Sequence, residues 1–287
     1  MAESTVVDLS KTFHRRVLKD PCVQFSSDEG RKIFADALAE GGMYAYFGLA
    51  ETYQTQGAPA FCGLGSLSMV LNALLIDPKR VWQGVWRWFE DGMLDCCEDI
   101  EKIKQQGIIM SKLACLAQCY GANCDTYFAE PEFDEETFRK LVIIACTEPP
   151  PGQQKQHMIV SYSRKVLNQT GSGHFSPIGG YCAATDQVLI MDVARFKHPP
   201  HWAPLPLLLE AMRQVDSESG RVRGVMMLSS SDSLERSCKD YCCCATEETE
   251  TDQAEVAGGG YKSQTQSIDA AEAYLYTHHS MKSESSL

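Results

Sequence analysis

A cysteine stands where an apolar helix is predicted to begin. In TQGAPAFCGLGSLSMVLNAL, Cys62 separates a Pro-containing loop from apolar side chains at positions 67, 70, 71, 74 and 75. This spacing places the apolar side chains on one face of a helix. A thiol in the first helical turn can pack, form a disulfide, bind a metal or act as a nucleophile. The helix N-terminus lowers the thiol pKa, which favours a reactive thiolate.

A nucleophilic cysteine needs a general base and a group that orients this base. Among the 7 histidines, His174 follows GSG at the start of a predicted strand, where glycines permit close approach of a ligand. Taken alone, a histidine in a strand is more often structural. Asp192 ends the next predicted strand, QVLIMDVA, where a carboxylate is costly to bury unless it is paired. A hairpin turning at 184–186 would place residues 174 and 192 opposite each other, about 5 Å apart.

The developing oxyanion also needs hydrogen-bond donors. Gln56 lies six residues before Cys62, and its amide could donate beside the backbone N–H of Cys62 at the helix start. An ordinary loop glutamine is the alternative for Gln56 alone. A glutamine, a loop, a cysteine and a helix, followed by a histidine and an aspartate, form the arrangement of papain-type cysteine enzymes.

The order of the predicted elements indicates the fold class. Helical patterns come first, in GRKIFADALAEGG, SLSMVLNALL, SKLACLAQCYG and DEETFRKLVIIAC, with Ser111 as the N-cap and Gly121 as the stop of the third. Strand patterns follow, in HMIVSYSRKVL, in GHFSPIGGYCAATDQVLIMDVARF and in VRGVMMLS, with one further helix in LPLLLEAMRQV. Helices followed by antiparallel strands predict an α+β fold, with a helical lobe, a sheet lobe and a cleft between them.

Composition limits the classes of partner. The chain has 287 residues, 44% of them hydrophobic, which suffices for one sizeable core. Its net charge of -12 argues against a nucleic-acid groove or binding to an anionic membrane. The first 25 residues lack an apolar signal core and no apolar run reaches the length of a membrane span, so we expect a cytoplasmic protein. The 13 cysteines fit a reducing compartment, where most remain thiols.

The pattern changes near residue 229. We expect a catalytic domain over residues 1–228 and a mostly disordered, acidic, cysteine-containing tail over 229–287. Residues 231–287 hold 11 acidic and 4 basic residues. Cys238 and Cys242–Cys244 form a C-x3-C-C-C cluster in this tail.

Four strings resemble the catalytic domain of phytochelatin synthase, a papain-like enzyme: PAFCGLGSLSMVLNAL, WRWFEDGMLDCCE, QTGSGHFSPIGGY and DVARFKHPPHW. The resemblance covers about residues 5–228. It implies a papain-like cysteine-protease fold and a dipeptidyl transfer. The nucleophile attacks the Cys–Gly amide of glutathione, glycine leaves, and the γ-glutamylcysteinyl thioester passes to the amine of a second glutathione or of a growing chain. The product, (γ-Glu-Cys)n-Gly, chelates heavy metals.

The resemblance also implies the roles of individual residues. Cys62 matches the nucleophile, His174 the general base and acid, Asp192 its orienting partner and Gln56 the oxyanion donor. Arg195 matches a basic residue that helps to hold the charged end of the substrate, where a surface arginine is the alternative. Phe61 departs from the tyrosine usual before the nucleophile, which predicts a modest effect on the second substrate.

The family further implies partners and metals. Glutathione and phytochelatin oligomers are the expected ligands, a homodimer the expected assembly, and no organic cofactor is required. Cd, Zn or Cu ions would act as activators or as metal-glutathione substrate. The metal site stays unassigned: Cys96 and Cys97 are neighbours whose side chains should point apart, so that one binds while the other packs. No CxxC…CxxC framework indicates a structural zinc site.

Two alternatives remain beside the transferase. A hydrolase would release γ-Glu-Cys by using water as the acceptor. A thiol-rich metal buffer without catalysis would explain the cysteine count and the tail, but not the set formed by Gln56, Cys62, His174 and Asp192.

Overall fold

A computed structural model describes residues 8–231. Its helices are Asp28–Ala39 (α1), Tyr44–Glu51 (α2), Cys62–Ala73 (α3), Ile100–Gln106 (α4), Met110–Cys119 (α5), Glu135–Cys146 (α6) and Leu205–Arg213 (α7). Its strands are Val23–Gln24 (β1), Ala122–Phe128 (β2), Gln156–Ser163 (β3), Gly173–Cys182 (β4), Gln187–Ile190 (β5), His201–Pro204 (β6) and Gly224–Ser230 (β7). Single turns of 3-10 helix lie at Leu9–Lys11 and Asp91–Met93.

The strands form one sheet in the order β1-β6-β5-β4-β3-β7-β2. Every neighbouring pair in this order is antiparallel. The central strands β3 and β4 are buried along nearly their whole length, and the edges are formed by the two-residue β1 and by β2, whose burial is mixed. The prediction of an antiparallel sheet accompanied by helices is confirmed.

The helices do not form a lobe apart from the sheet. Two hydrophobic clusters lie on its two faces, because neighbouring residues of β3 alternate between them: Ile159 joins the first, and Met158 and Val160 join the second. Helices α1, α3 and α5 contribute to the first cluster, and α6 and α7 to the second. The expected order of helices and then strands is also wrong, since β1 and β2 precede α6. Burial of both faces of the central strands requires helices on both sides.

Most predicted elements are present, with corrections at their ends. Ser111 does not cap α5: its N-cap is Ile109, and Ser111 lies inside the first turn. The stop at Gly121 is confirmed, with a φ of 91° just past the helix end. Sequence patterns did not predict α2, α4, β1, β2 or β6. Helix α2 has aromatic side chains around much of its circumference, and β2 is an edge strand with mixed burial, so neither shows a clear period.

The hairpin of β4 and β5 turns where the sequence predicts, but its register differs. Tyr181 pairs with Val188, whereas Ile178 pairs with Ile190, because a β-bulge lies between 178 and 180. The backbone N–H of Met191 then donates to the carbonyl of Pro177 at 3.0 Å. This register sets Asp192 diagonally across from His174 rather than directly opposite.

Strand β7 runs through Ser230, two residues beyond the boundary expected at 228. Residues 232–287, with Cys238 and Cys242–Cys244, lie outside the described residues. In the part of the chain that is described, no helix has both the length and the apolar character to cross a membrane.

Candidate active site

Cys62 is the first residue of α3, as the sequence predicts. Residues 63–73 of this helix are all buried, whereas Cys62 itself is half-buried. The N-cap, Phe61, makes no side-chain hydrogen bond to the first turn. The unpaired N–H groups at the start of α3 are therefore directed toward the surroundings of the thiol.

Strand β4 contacts Cys62 through two neighbouring residues. His174 and the backbone N–H of Phe175 interact with the Cys62 thiol and lower its pKa. Burial raises the pKa of the Cys62 thiol. This effect is outweighed by the charge and hydrogen bond of His174, by the Phe175 amide and by the charge of Arg164, so the pKa lies below its ordinary value. The surroundings therefore favour the thiolate, the form that attacks carbonyl carbon.

Asp192 lies behind His174. The Nε2 of His174 is 2.7 Å from the Oδ1 of Asp192, which leaves Nδ1 for Cys62. Burial and the charge of Arg164 lower the pKa of His174. Asp192 and the Cys62 thiolate raise this pKa by more, so it lies above its ordinary value. Burial raises the pKa of Asp192, whereas His174 and Arg164 lower it by more. The hydrogen bond predicted between residues 174 and 192 is present, although the register that suggested it is not.

A buried arginine that was not predicted from the sequence, Arg164, completes this arrangement. Its side chain is 2% exposed, and its Nη2 donates to both carboxylate oxygens of Asp192, at 2.8 and 3.0 Å. Its Nη1 donates to Gln169, whose Nε2 lies 2.9 Å from the Nε2 of His201. One signal was available, because the cost of burying Asp192 calls for a cation, and Arg164 directly follows β3.

Gln56 lies beside α3 with a side chain that is already engaged. It is buried, and a Cβ on Gly65 would lie 3.2 Å from the Gln56 Cβ. Its Nε2 donates to the carbonyls of Ala58 and Pro59, at 2.8 and 2.9 Å, while its Oε1 is buried without a partner. Donation to an oxyanion would require Nε2 to release one of these carbonyls.

Arg195 lies near the site but on its surface. It is exposed, and its guanidinium carbon lies 4.7 Å from the centre of the Tyr53 ring. The Tyr53 hydroxyl donates to the backbone carbonyl of Asp192 at 2.7 Å. Two further cations, Lys197 and Arg223, interact electrostatically with Cys62. Together with Arg164 they make the surroundings of the thiol positive within an acidic protein.

The chain is similar to known proteins over most of its length. The family model described as phytochelatin synthase matches residues 13–225, which include every residue of the candidate site. The chain belongs to the phytochelatin synthase family. The family match ends a few residues before the end of β7.

Several curated relatives are named glutathione gamma-glutamylcysteinyltransferase. The chain is 53% identical over 221 residues to number 3 of Lotus japonicus, covering 77% of this chain and 45% of the relative. It is 51% identical over 218 residues to number 2 of Arabidopsis thaliana, covering 76% of this chain and 47% of that relative. It is 45% identical over 224 residues to the relative from Schizosaccharomyces pombe, covering 78% of this chain and 52% of that relative. The chain thus spans about half the length of these relatives.

A set of cysteines lies apart from Cys62. The Sγ atoms of Cys96, Cys97 and Cys119 all lie within 4.8 Å of one another. The expectation that the side chains of Cys96 and Cys97 point apart is therefore wrong, since these residues lie in a loop where neighbours need not alternate. Within residues 8–231, these three side chains form the group that could hold a metal ion.

Proposed function

We propose that the chain is a γ-glutamylcysteine dipeptidyltransferase that makes phytochelatins from glutathione through a thioester on Cys62. The observation that carries the proposal is the contact of a pKa-lowered thiol, at the start of a helix, with a histidine that is itself held by a buried carboxylate. The names of the relatives supply the substrate, glutathione, and the transferred group. The Cys62, His174 and Asp192 set is the papain-like part of this proposal.

In the first half-reaction the Cys62 thiolate attacks the carbonyl carbon of the Cys–Gly amide. The amide N–H groups at the start of α3 are suited to the developing oxyanion. A change in the hydrogen bonds of Gln56 would supply a further donor. The carbon–nitrogen bond then breaks, and the His174 imidazolium gives its proton to the departing glycine amine. Asp192 keeps the ring oriented and favours its charged form.

In the second half-reaction an acceptor amine attacks the thioester. Now-neutral His174 takes the proton of the amine, the new amide forms, and Cys62 leaves as a thiolate. Glutathione is anionic, and the cations around the site favour its binding; Arg195 is a candidate for one of its carboxylates. Cd, Zn or Cu would enter as activator or as metal-glutathione substrate. Phe61 lacks a hydroxyl, so it contributes packing to the acceptor side and no hydrogen bond.

A product assay tests the proposal. Reduced full-length protein is incubated with glutathione, with and without Cd(II), and the products are separated by mass. We expect (γ-Glu-Cys)n-Gly and free glycine, both abolished in Cys62→Ser and preserved in the control Cys124→Ser, which alters a cysteine of edge strand β2. Formation of γ-Glu-Cys and glycine alone would assign a hydrolase. Absence of turnover with retained metal binding would assign a metal buffer.

A further inference from the structure

Two buried polar side chains behind Asp192 have no role in the reaction proposed above. Gln169 lies in the loop between β3 and β4, His201 is the first residue of β6, and both are buried. They belong to the strings QTGSGHFSPIGGY and DVARFKHPPHW, whose other residues supplied the predicted site. Polar groups are costly to bury unless they are hydrogen-bonded. The hydrogen bonds of these two side chains lead to Arg164 and through it to Asp192.

The surroundings of His201 define which of its nitrogens carries the proton. Its Nδ1 lies 2.9 Å from the backbone carbonyl oxygen of Pro199, which can only accept, so Nδ1 is the protonated nitrogen. Burial lowers the pKa of His201, and the charges of Arg164 and His174 add to this effect. Asp192 and the Pro199 carbonyl raise the pKa by less, so it lies below its ordinary value and the ring is neutral near pH 7. The Nε2 of His201 therefore accepts a hydrogen bond.

The amide of Gln169 carries this direction to Arg164. Its Nε2 lies 2.9 Å from the Nε2 of His201 and is the donor, since that ring nitrogen has no proton. The Oε1 of Gln169 faces the other way and accepts from the Nη1 of Arg164. A reversed amide would set its oxygen against the lone pair of His201 and its NH2 against a guanidinium that has only donors. One orientation of the amide therefore satisfies both neighbours.

The guanidinium of Arg164 is held from both ends as a result. Its Nη2 donates to the two carboxylate oxygens of Asp192, and its Nη1 donates to Gln169. The backbone supports the same geometry, because the N–H of Gln169 donates to the Arg164 carbonyl at 2.9 Å and the N–H of Arg164 to the Ser172 carbonyl at 2.8 Å. A planar, rigid donor group fixed at both ends has little freedom to rotate. Its position in turn fixes Asp192, whose Oδ1 holds His174.

We propose that Gln169 and His201 are positioning residues. They hold the guanidinium of Arg164 against the Asp192 carboxylate and act on Cys62 only through these two charged groups. The effect on catalysis rests on the proposed function, whereas the effect on the Cys62 thiol does not. A measurement on the thiol therefore tests the proposal even if the chain does not turn over glutathione.

The experiment measures the pH dependence of Cys62 alkylation by iodoacetamide in the full-length chain, followed by peptide mass spectrometry. Arg164 lowers the pKa of this thiol, so a displaced guanidinium should raise it. His201→Phe keeps a flat ring but removes the acceptor, and Gln169→Leu removes both ends of the amide. Each should move the half-maximum to higher pH and slow alkylation near neutral pH by about threefold, the effect of about half a pKa unit.

Two further variants separate positioning from a general loss of stability. His201→Gln supplies an amide oxygen that can accept from Gln169, so its profile should stay close to that of the wild type. His157→Phe makes the matched change at another buried histidine, on β3, whose ring nitrogens have no hydrogen-bond partner among residues 8–231. Its profile should be unchanged. Circular dichroism verifies that each variant folds.

A double variant tests whether Gln169 acts through Arg164. Arg164→Gln alone should move the half-maximum to higher pH. Gln169→Leu added to it should produce no further shift, because two changes that break the same contact are not additive. Full additivity of the two shifts would mean that Gln169 reaches the thiol by another route, which would overturn the proposal.

A measurement on the wild-type chain covers the case in which the variants do not fold. Nitrogen-15 NMR of histidine-labelled protein distinguishes the two neutral tautomers from imidazolium. Near neutral pH, His201 should be neutral with its proton on Nδ1. A proton on Nε2, an unshifted profile in folded His201→Phe or Gln169→Leu, or an equal shift in His201→Gln or His157→Phe would each overturn the proposal.

Discussion

The thiol of Cys62 and the imidazole of His174 change each other's pKa in opposite directions. The thiol pKa lies below its ordinary value of 9.0 and the imidazole pKa above its ordinary value of 6.5. A thiolate and an imidazolium therefore coexist over a wider pH range than for unpaired groups. The proposed acylation requires both charged forms, so its rate should rise as Cys62 loses its proton and fall as His174 loses its proton.

The first prediction concerns the pH dependence of Cys62 alkylation. The rate with iodoacetamide should reach half its maximum below pH 9.0, the ordinary pKa of a thiol. In His174→Gln the half-maximum should move to higher pH, because burial then raises the thiol pKa with less opposition. Peptide mass spectrometry follows Cys62 separately from the other cysteines. The exposed control His14→Gln should leave the profile unchanged; an unchanged profile in His174→Gln would contradict the proposed pair.

The second prediction concerns Arg164 as a positioning residue. Arg164→Gln leaves the carboxylate of Asp192 buried without its guanidinium partner, which should reduce the free energy of unfolding by about 3–5 kcal/mol. Arg164 also lowers the pKa of both Cys62 and His174. Its loss should therefore move the half-maximum of Cys62 alkylation, and the alkaline fall of the proposed acylation, to higher pH.

Denaturant unfolding and the two pH profiles measure these effects of Arg164→Gln. The control is Arg139→Gln, which breaks a partly exposed pair with Asp186 at 2.9 Å, away from the candidate site. It should cost about 1 kcal/mol or less and leave both profiles in place. A loss of stability in Arg164→Gln without a shift of either profile would reduce Arg164 to a purely structural residue.

At the scale of the elements, α3, β4 and the end of β5 position the candidate site. Helix α3 supplies Cys62, β4 supplies His174, and the segment after β5 supplies Asp192. Packing of α3 against the sheet is close: the hydroxyl of Ser66 donates to the carbonyl of Phe175 at 3.1 Å, next to His174. The bulge in β4 sets which residue pairs with which at the end of the hairpin.

The third prediction tests the packing of β7 between β3 and β2. A Cβ at Gly224 would lie 1.9 Å from the backbone carbonyl oxygen of Tyr127, which only a backbone shift can relieve. Gly224→Ala should reduce the free energy of unfolding by about 1–3 kcal/mol or more. In the control, Gly48→Ala, the added Cβ meets the end of the flexible Lys155 side chain at 2.6 Å. This helical substitution should be neutral or stabilise by up to about 1 kcal/mol. Equal losses in denaturant unfolding would contradict the close approach.

At the scale of the whole molecule, residues 8–231 contain both hydrophobic clusters and the whole candidate site. The backbone N–H of Ser231 donates to the carbonyl of Gly121 at 3.1 Å, a contact at the end of the described chain. The family match also ends before this residue. These observations favour a unit that carries the proposed acylation without residues 232–287.

The fourth prediction follows from this unit. A chain ending at Ser231 should release glycine from glutathione at a rate within about tenfold of the full chain, a loss of up to about 1.4 kcal/mol in transition-state stabilisation. Glycine release and the mass of the Cys62 thioester measure the effect. The same truncation carrying Cys62→Ser is the negative control. Loss of the thioester in a truncated chain with a retained thermal transition would assign part of the site to residues 232–287.

The sequence by itself determined the features that depend on local pattern. The apolar period placed Cys62 at the start of a buried helix, and the strand patterns around His174 and Asp192 predicted their hairpin. The cost of burying a carboxylate at a strand end pointed to a partner for Asp192. These inferences succeeded because helix and strand periods, and the preference of a buried charge for a partner, act over few residues.

Only the tertiary structure decided the contacts between distant segments. Arg164 reaches Asp192 across 28 positions, and Cys97 reaches Cys115 across 18. Three further features were also decided by tertiary packing: the helices on the second face of the sheet, the bulge that changes the hairpin register, and the hydrogen bonds that engage the amide of Gln56. Each feature depends on how the elements pack and on which backbone groups still need a hydrogen-bond partner after packing. Neither property can be predicted from the residue spacing within a single segment.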